Sequence, residues 1–314
     1  MVVPLTPPVS LAEDRLETAP PRPDGEIEVH VASSRARRII AAGYRGRVLG
    51  SYRHGIVALD RRGRPLHLTS LKDGMGPFSL WIGPRFWPIA WEPEGPPPST
   101  PMSGSADGLQ LGRWRMMLDR AEHWDPRPTW RALGSRLGWW IEIVRDLAAA
   151  TELERTDLPD DRSWPRLDAR RSEFRRAMQR QDGEAVARAA CALAGLGPGL
   201  TPAGDDYLAG VLMGMRATRS GTAWSLAAPA IFNAVTGRTT TLSVALLAAA
   251  FRGEAARPWH ALVWALASGD AAKAFRGAAS IRRLGHSSGR WSLAGFLDTV
   301  LDATEEAGSS PPPP

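Results

Sequence analysis

The 314-residue chain has a single cysteine, Cys191, which excludes an intramolecular disulfide and any cysteine-built zinc cluster. Within "ARAACALAG" it reads as a small buried core residue, not a nucleophile. No apolar run approaches the roughly 18 residues that span a bilayer, so no transmembrane helix and no membrane partner are expected. The N-terminus lacks the basic-then-apolar order of a secretory signal, because prolines and acids interrupt it, and a cytoplasmic protein is expected. Lysine is almost missing: Lys72 and Lys273 are the only two, and the net charge of +6 rests on arginine. Such an excess has a compositional reading and a functional one, a surface or cleft that favours anions, since guanidinium pairs bidentately with carboxylate and phosphate. Basic and acidic residues alternate along most of the chain and no groove-reading motif is present, so nucleic acid is not an expected partner. Internal repeats of fixed period are missing as well.

What is present divides the chain. Residues 1–25 and 306–314 are proline-rich ends that read as disordered tails. Over 26–112, short alternating apolar stretches between turn residues point to a small β-barrel-like domain. In it "DRRG", residues 60–63, has the composition of a hairpin loop, Leu66 and Leu68 share one side of a strand, and "GPFSLWIG" puts Phe78, Leu80 and Ile82 on one face. "SSRARRIIAAG" reads as one short helix, and the proline-rich stretch 83–108 as a connector. Residues 113–305 are helical by periodicity. The quartets Trp140/Ile143/Val144/Leu147, Leu208/Val211/Leu212/Met215, Trp259/Leu262/Val263/Leu266 and Leu293/Phe296/Leu297/Val300 each mark a buried helix face. A helix over about 168–194 carries Arg170, Arg171, Arg175, Arg176 and Arg180 on its wetter sides. The fold class expected is therefore α+β, with the β-barrel-like domain first and an all-helical domain second.

The most tightly specified stretch is "GLGPGLTPAGDDYLAG", residues 195–210. Thr201 suits an N-cap, Pro202 the first helical position, and Asp205 and Asp206 the first turns, where the helix dipole favours negative charge. Capping leaves Gly195, Gly197 and Gly199 unexplained. Alternating glycines free the backbone for positive φ and close approach, which serves either an anion cradle of N–H groups or tight helix packing. No Gly-Lys-Ser/Thr follows, so the loop is not a Walker A motif; a helix leads into it, so it is not a dinucleotide fingerprint. Aspartates repel a bound phosphate unless Mg²⁺ or an arginine such as Arg238 intervenes, so Mg²⁺ is a possible cofactor. Two further segments enter helices. "GRTTTLSVALLAAAFRGE", residues 237–254, opens with Arg238 and the hydroxyls of Thr239, Thr240, Thr241 and Ser243, which serve as caps or as ligand contacts. "LGHSSGRWSLAGF", residues 284–296, sets His286 beside Ser287 and Ser288; with no orienting acid in view, an anion-binding loop is preferred to a Ser/His nucleophile.

In order and spacing these three segments resemble a bacterial family that includes the AllH-type subunit of oxamate carbamoyltransferase, over roughly residues 30–303. The resemblance implies a β-barrel-like domain followed by a helical one, and hetero-oligomeric work beside FdrA-like and acyl-CoA synthetase-like subunits. It also implies carbamoyl transfer among oxalurate, phosphate, oxamate and carbamoyl phosphate in allantoin (purine) catabolism. Such chemistry needs positioning and charge stabilisation more than a covalent nucleophile. The groups expected to bind the small anion are Gly197, Gly199, Thr201, Gly204, Arg238, Thr240, Ser243, His286, Ser287 and Ser288. Asp205 or Asp206 would act as base or hold the attacking nitrogen. One departure stands out: an aspartate common in the family two residues after "SG" is replaced here by Trp291. The competing expectation is a non-catalytic assembly subunit whose glycines, Gly210 and Gly214 among them, serve close helix packing.

Overall fold

A computed structural model describes residues 25–84, 95–134, 137–153, 164–218 and 221–309. The strands are β1 (Glu26–Glu28), β2 (Val31–Ser33), β3 (Arg45–Tyr52), β4 (Gly55–Asp60), β5 (Pro65–Thr69), β6 (Ser79–Trp81), β7 (Pro101–Ser105), β8 (Gly108–Leu111), β9 (Trp114–Met117) and β10 (Glu122–Trp124). They form one sheet in the order β1-β9-β8-β7-β3-β4-β5-β6-β2-β10. The pairs β1/β9, β2/β10 and β5/β6 are parallel, and the others antiparallel. The "DRRG" hairpin is present: the Asp60 carboxylate accepts the Arg62 and Arg64 N–H groups at 2.9 and 2.8 Å, and Gly63 takes φ +72°.

The sheet is a curled half-barrel and not a closed barrel, which corrects the sequence reading. β1 and β10 lie at opposite ends of the order and do not pair with each other. Each is three residues long, too few for the continuous ladder that closure requires. Short edges also offer little template for a stray strand. Inside, Ile56, Leu66, Leu68, Leu80 and Ile82 are fully buried, and in β6 Ser79 and Trp81 are buried as well, so this strand is covered on both faces. Helix α1 (Ser34–Ala41) is capped by Ser33, whose hydroxyl accepts the Ala36 N–H. β7 and the first residue of β8 occupy part of the stretch read as a connector, while 85–94 lies outside the described residues. β9 and β10 extend the β unit past residue 112. It closes at Pro126 and takes in Ala255–Arg257.

The helical unit comprises Arg127–Glu254 and the chain from Pro258 onward. Its helices are α2 (Arg131–Gly134), α3 (Leu137–Leu153), α4 (Trp164–Gln179), α5 (Gly183–Leu193), α6 (Ala203–Thr218), α7 (Gly221–Val235), α8 (Thr241–Phe251), α9 (which begins at Arg257 and runs to Ser268), α10 (Ala271–Arg282) and α11 (Ser288–Ser309). All four apolar quartets are buried, Trp140, Leu208, Leu262 and Phe296 completely. The single helix expected over 168–194 is two. Gln181 adopts φ +53°, and Asp182 restarts the helix by accepting the Ala185 N–H at 3.0 Å. α11 covers 306–309 of the expected C-terminal tail; 1–24 and 310–314 lie outside the described residues. Cys191 is only half-buried, its thiol directed at the Ala234 carbonyl oxygen.

α6 and α11 form the closest helix pair. A Cβ on Gly210 would lie 1.9 Å from the Ser292 carbonyl oxygen, and one on Gly295 would lie 2.1 Å from that of Tyr207. Gly214 meets Phe296 and Thr299 in the same seam. Two arginines of α4 then lock onto α11. Arg171 grips Asp298 through Nε and Nη2 at 2.6 and 2.7 Å, and Arg175 grips Asp302 at 3.1 and 2.6 Å. Tyr207 donates to Asp298 at 2.9 Å. Arg171 is therefore turned inward, not to the wetter side that its spacing suggested.

Candidate functional site

The three sequence segments meet around the start of α6. Just past the end of α5, Gly195 takes φ +70°, the left-handed conformation that lets a chain leave a helix. A Cβ there would lie 2.7 Å from the Arg238 carbonyl oxygen, so the loop backbone runs directly against the strand of chain that enters α8. Gly197, at φ +113°, would place a Cβ 2.9 Å from the Ala203 nitrogen, and Gly204 would place one 2.0 Å from the Leu193 carbonyl oxygen. Close packing thus accounts for Gly195, Gly197 and Gly204. Gly199 differs: it has φ +98°, is exposed, and has no atom within 4 Å of its would-be Cβ.

α6 begins at Ala203, and the Pro202 carbonyl accepts the N–H groups of Asp205 and Asp206 at 2.9 and 3.1 Å. Pro202 therefore holds the cap position expected of Thr201. The Thr201 hydroxyl instead meets the Ser288 hydroxyl at 3.0 Å, a bond between the glycine loop and the first residue of α11. Thr240 caps α8 by accepting the Ser243 N–H at 3.0 Å, and donates its own proton to the Leu200 carbonyl at 2.7 Å. The capping and contact alternatives for that hydroxyl cluster are both realised, the contact being with this chain's own loop.

The two aspartates have opposite surroundings. Asp205 is buried, its Oδ1 accepting the Gly195 N–H at 2.9 Å and its Oδ2 the Thr239 hydroxyl. It ties three parts of the chain: the end of α5, the start of α6 and the entry to α8. Asp206 is partly exposed as a residue, yet its Oδ2 is wholly buried and has no hydrogen-bond partner. Burial above all, with the Asp205 charge beside it, pushes this carboxyl up to about 8 against the pull of the neighbouring Ser288 and Thr201 hydroxyls. A carboxyl with one buried oxygen left without a partner is costly to keep ionised, and at neutral pH its favoured form is the protonated acid.

The remaining expected residues scatter. Arg238 and His286 are exposed, Ser287 and Ser288 are half-buried, and the Ser287 carbonyl accepts the N–H groups of Arg290 and Trp291. Ser243 is buried in the first turn of α8 with an unpartnered hydroxyl. Trp291 is buried in the first turn of α11. Gly210 and Gly214, expected above to serve close helix packing, do so against α11 within the chain. Among the described residues no group of three or more His, Cys, Asp or Glu is placed to hold a metal ion, and no helix is long and apolar enough to cross a membrane. The Thr201–Ser288 bond is the feature that sequence reasoning missed, because 87 residues separate its partners.

No curated protein and no solved structure matches the chain. Residues 193–300 match the family model described as oxamate carbamoyltransferase subunit AllH. The match is narrower than the resemblance read from the motifs, but it holds all the elements that converge here, from the last residue of α5 into α11. Over residues 193–300 the chain is thus similar to the AllH family.

Proposed function

We propose that the chain is a subunit of a carbamoyltransferase of the oxamate carbamoyltransferase type, working in allantoin catabolism beside FdrA-like and acyl-CoA synthetase-like subunits. Its part is to bind a small phosphate- or carboxylate-bearing substrate at the glycine loop, beside Asp206 and the Thr201–Ser288 hydroxyl pair. The single observation that carries this reading is the convergence of the three motifs on one rigid frame: Asp205 and Thr240 fix the loop, so Gly199, Thr201 and Ser288 sit on a fixed scaffold. A rigid frame is what such catalysis demands, since it depends on holding reactants in register and on donors set in advance for developing charge. In oxalurate phosphorolysis, a phosphate oxygen attacks the carbamoyl carbon, the C–N bond breaks, and the departing oxamate nitrogen takes a proton. A carboxyl held protonated near neutrality, as Asp206 is, suits supply of that proton through the neighbouring Thr201 and Ser288 hydroxyls.

Thermal-shift measurements with carbamoyl phosphate, oxalurate, oxamate and phosphate, with and without Mg²⁺ and the partner subunits, test the reading. At least one of these anions should raise the melting temperature. No stabilisation under any of these conditions would remove the anion site and the carbamoyl chemistry with it.

A further inference from the structure

Asp206 Oδ2, a buried carboxylate oxygen without a hydrogen-bond partner, lies next to a hydroxyl pair, Thr201 and Ser288, that joins two motifs. Oδ2 itself is closed to solvent, so it does not reach a ligand. Thr201 and Ser288 are only half-buried as residues, which leaves this pair the side of the cluster open to a ligand. A hydroxyl has one proton, and where that proton points depends on what its neighbour offers. Beside a carboxylic acid the hydroxyl accepts from the carboxyl, and its own proton turns along the chain and outward. Beside a carboxylate it donates inward and shows only lone pairs to the outside.

We infer that Asp206 acts through the Thr201–Ser288 pair as a proton-set polarity switch: in its acid form it turns a hydroxyl donor toward a bound oxyanion, and in its ionised form it turns that donor away. The inference deepens the proposed substrate site and rests on it. Asp206 is thus a positioning residue, and above about pH 8 the site takes up a proton together with its anion. This also explains how an anion can bind beside two aspartates. Asp205 is screened by the donors it satisfies, and Asp206 is neutral when the site is filled. The groups facing Asp206 are the Thr201 hydroxyl from the loop and the Ser288 hydroxyl from α11, with Asp205 the charge acting from its own helix. From the entry to α8, Thr239 is engaged with Asp205; Arg238 on that entry and His286 before α11 are exposed.

Sulfate is the probe, because its charge is constant across the range in which Asp206 titrates. Calorimetric titration of the full chain from about pH 6 to about pH 9.5 should show constant affinity without proton uptake up to roughly pH 8, and then about a tenfold loss per pH unit with uptake rising toward one proton per sulfate bound. Asp206→Asn, whose amide donates at every pH, should bind with a flat profile, and Thr201→Val should weaken binding at all pH values. His286→Gln should retain the fall above pH 8. A pH-independent wild-type affinity with no proton uptake overturns the switch and leaves the anion site standing; so does an Asp206→Asn profile that falls like the wild type. Absence of sulfate binding at every pH overturns both the switch and the substrate site. The wild-type profile and its proton uptake decide the matter even where a variant fails to fold.

Discussion

Removing the Asp205 carboxylate leaves two donors, the Gly195 N–H and the Thr239 hydroxyl, without acceptors in a buried setting. Hydrogen bonds to a charged acceptor contribute more than neutral ones, and the abandoned donors add their own desolvation cost. Asp205→Ala should therefore destabilise the chain by about 3 kcal/mol in urea unfolding, and Thr239→Val by roughly 1–2 kcal/mol, since it removes a single donor. A value near zero for both would show that the Asp205 clasp contributes nothing to the frame. Asp206 behaves in the reverse sense. Its folded-state value is raised above that of an unfolded aspartate, so its contribution to stability is full below about pH 4 and is lost as pH rises through about 8. One residue holds the loop in place, and the next makes that place sensitive to protons.

At the scale of elements, the α6–α11 seam depends on having no side chain at three positions. Gly210→Ala pushes a methyl group into a backbone carbonyl, which cannot swing aside as a side chain would, and should cost about 3 kcal/mol. Gly138 in α3 is the control: nothing stands within 4 Å of its would-be Cβ, so Gly138→Ala should stabilise by about 0.5–1 kcal/mol. Thermal or urea unfolding of the pair separates packing from helix propensity. These elements were largely legible in advance. The four apolar quartets, the short helix at 34–41 and the turn at 60–63 follow from periodicity and turn chemistry, which are local. The break at Gln181 was not, because both flanking segments are rich in helix formers and one residue at positive φ divides them. At the site, the glycines and aspartates stood out in the sequence, but their division of labour did not. Which glycine packs, which aspartate is satisfied and which hydroxyl meets Ser288 are all set by residues distant in the chain.

Over the whole molecule, the two units carry their buried titratable groups differently. In the half-barrel, burial lowers His67 to about 4, with its Nδ1 facing the Ser79 hydroxyl at 3.1 Å. A base whose folded value is depressed contributes stability above its unfolded value, near 6.5, and that stability is lost as pH falls through about 4. Unfolding followed between about pH 7 and about pH 4 should thus show the half-barrel weakening in acid, while Asp206 acts on the helical unit in the opposite direction. A His67→Gln variant should lose that acid dependence; an unchanged slope would remove His67 as its source.

The pairing of Arg171 with Asp298 and of Arg175 with Asp302 has a consequence for how the family segment can be handled. Both arginines precede residue 193, and Asp302 follows residue 300. A fragment excised at 193 and 300 would strand Asp298 in an apolar seam without its guanidinium, and breaking such a buried pair costs about 3–5 kcal/mol. The stretch that carries the family signature is therefore not a module that can be transplanted: its smallest self-sufficient version begins upstream of Arg171 and ends beyond Asp302.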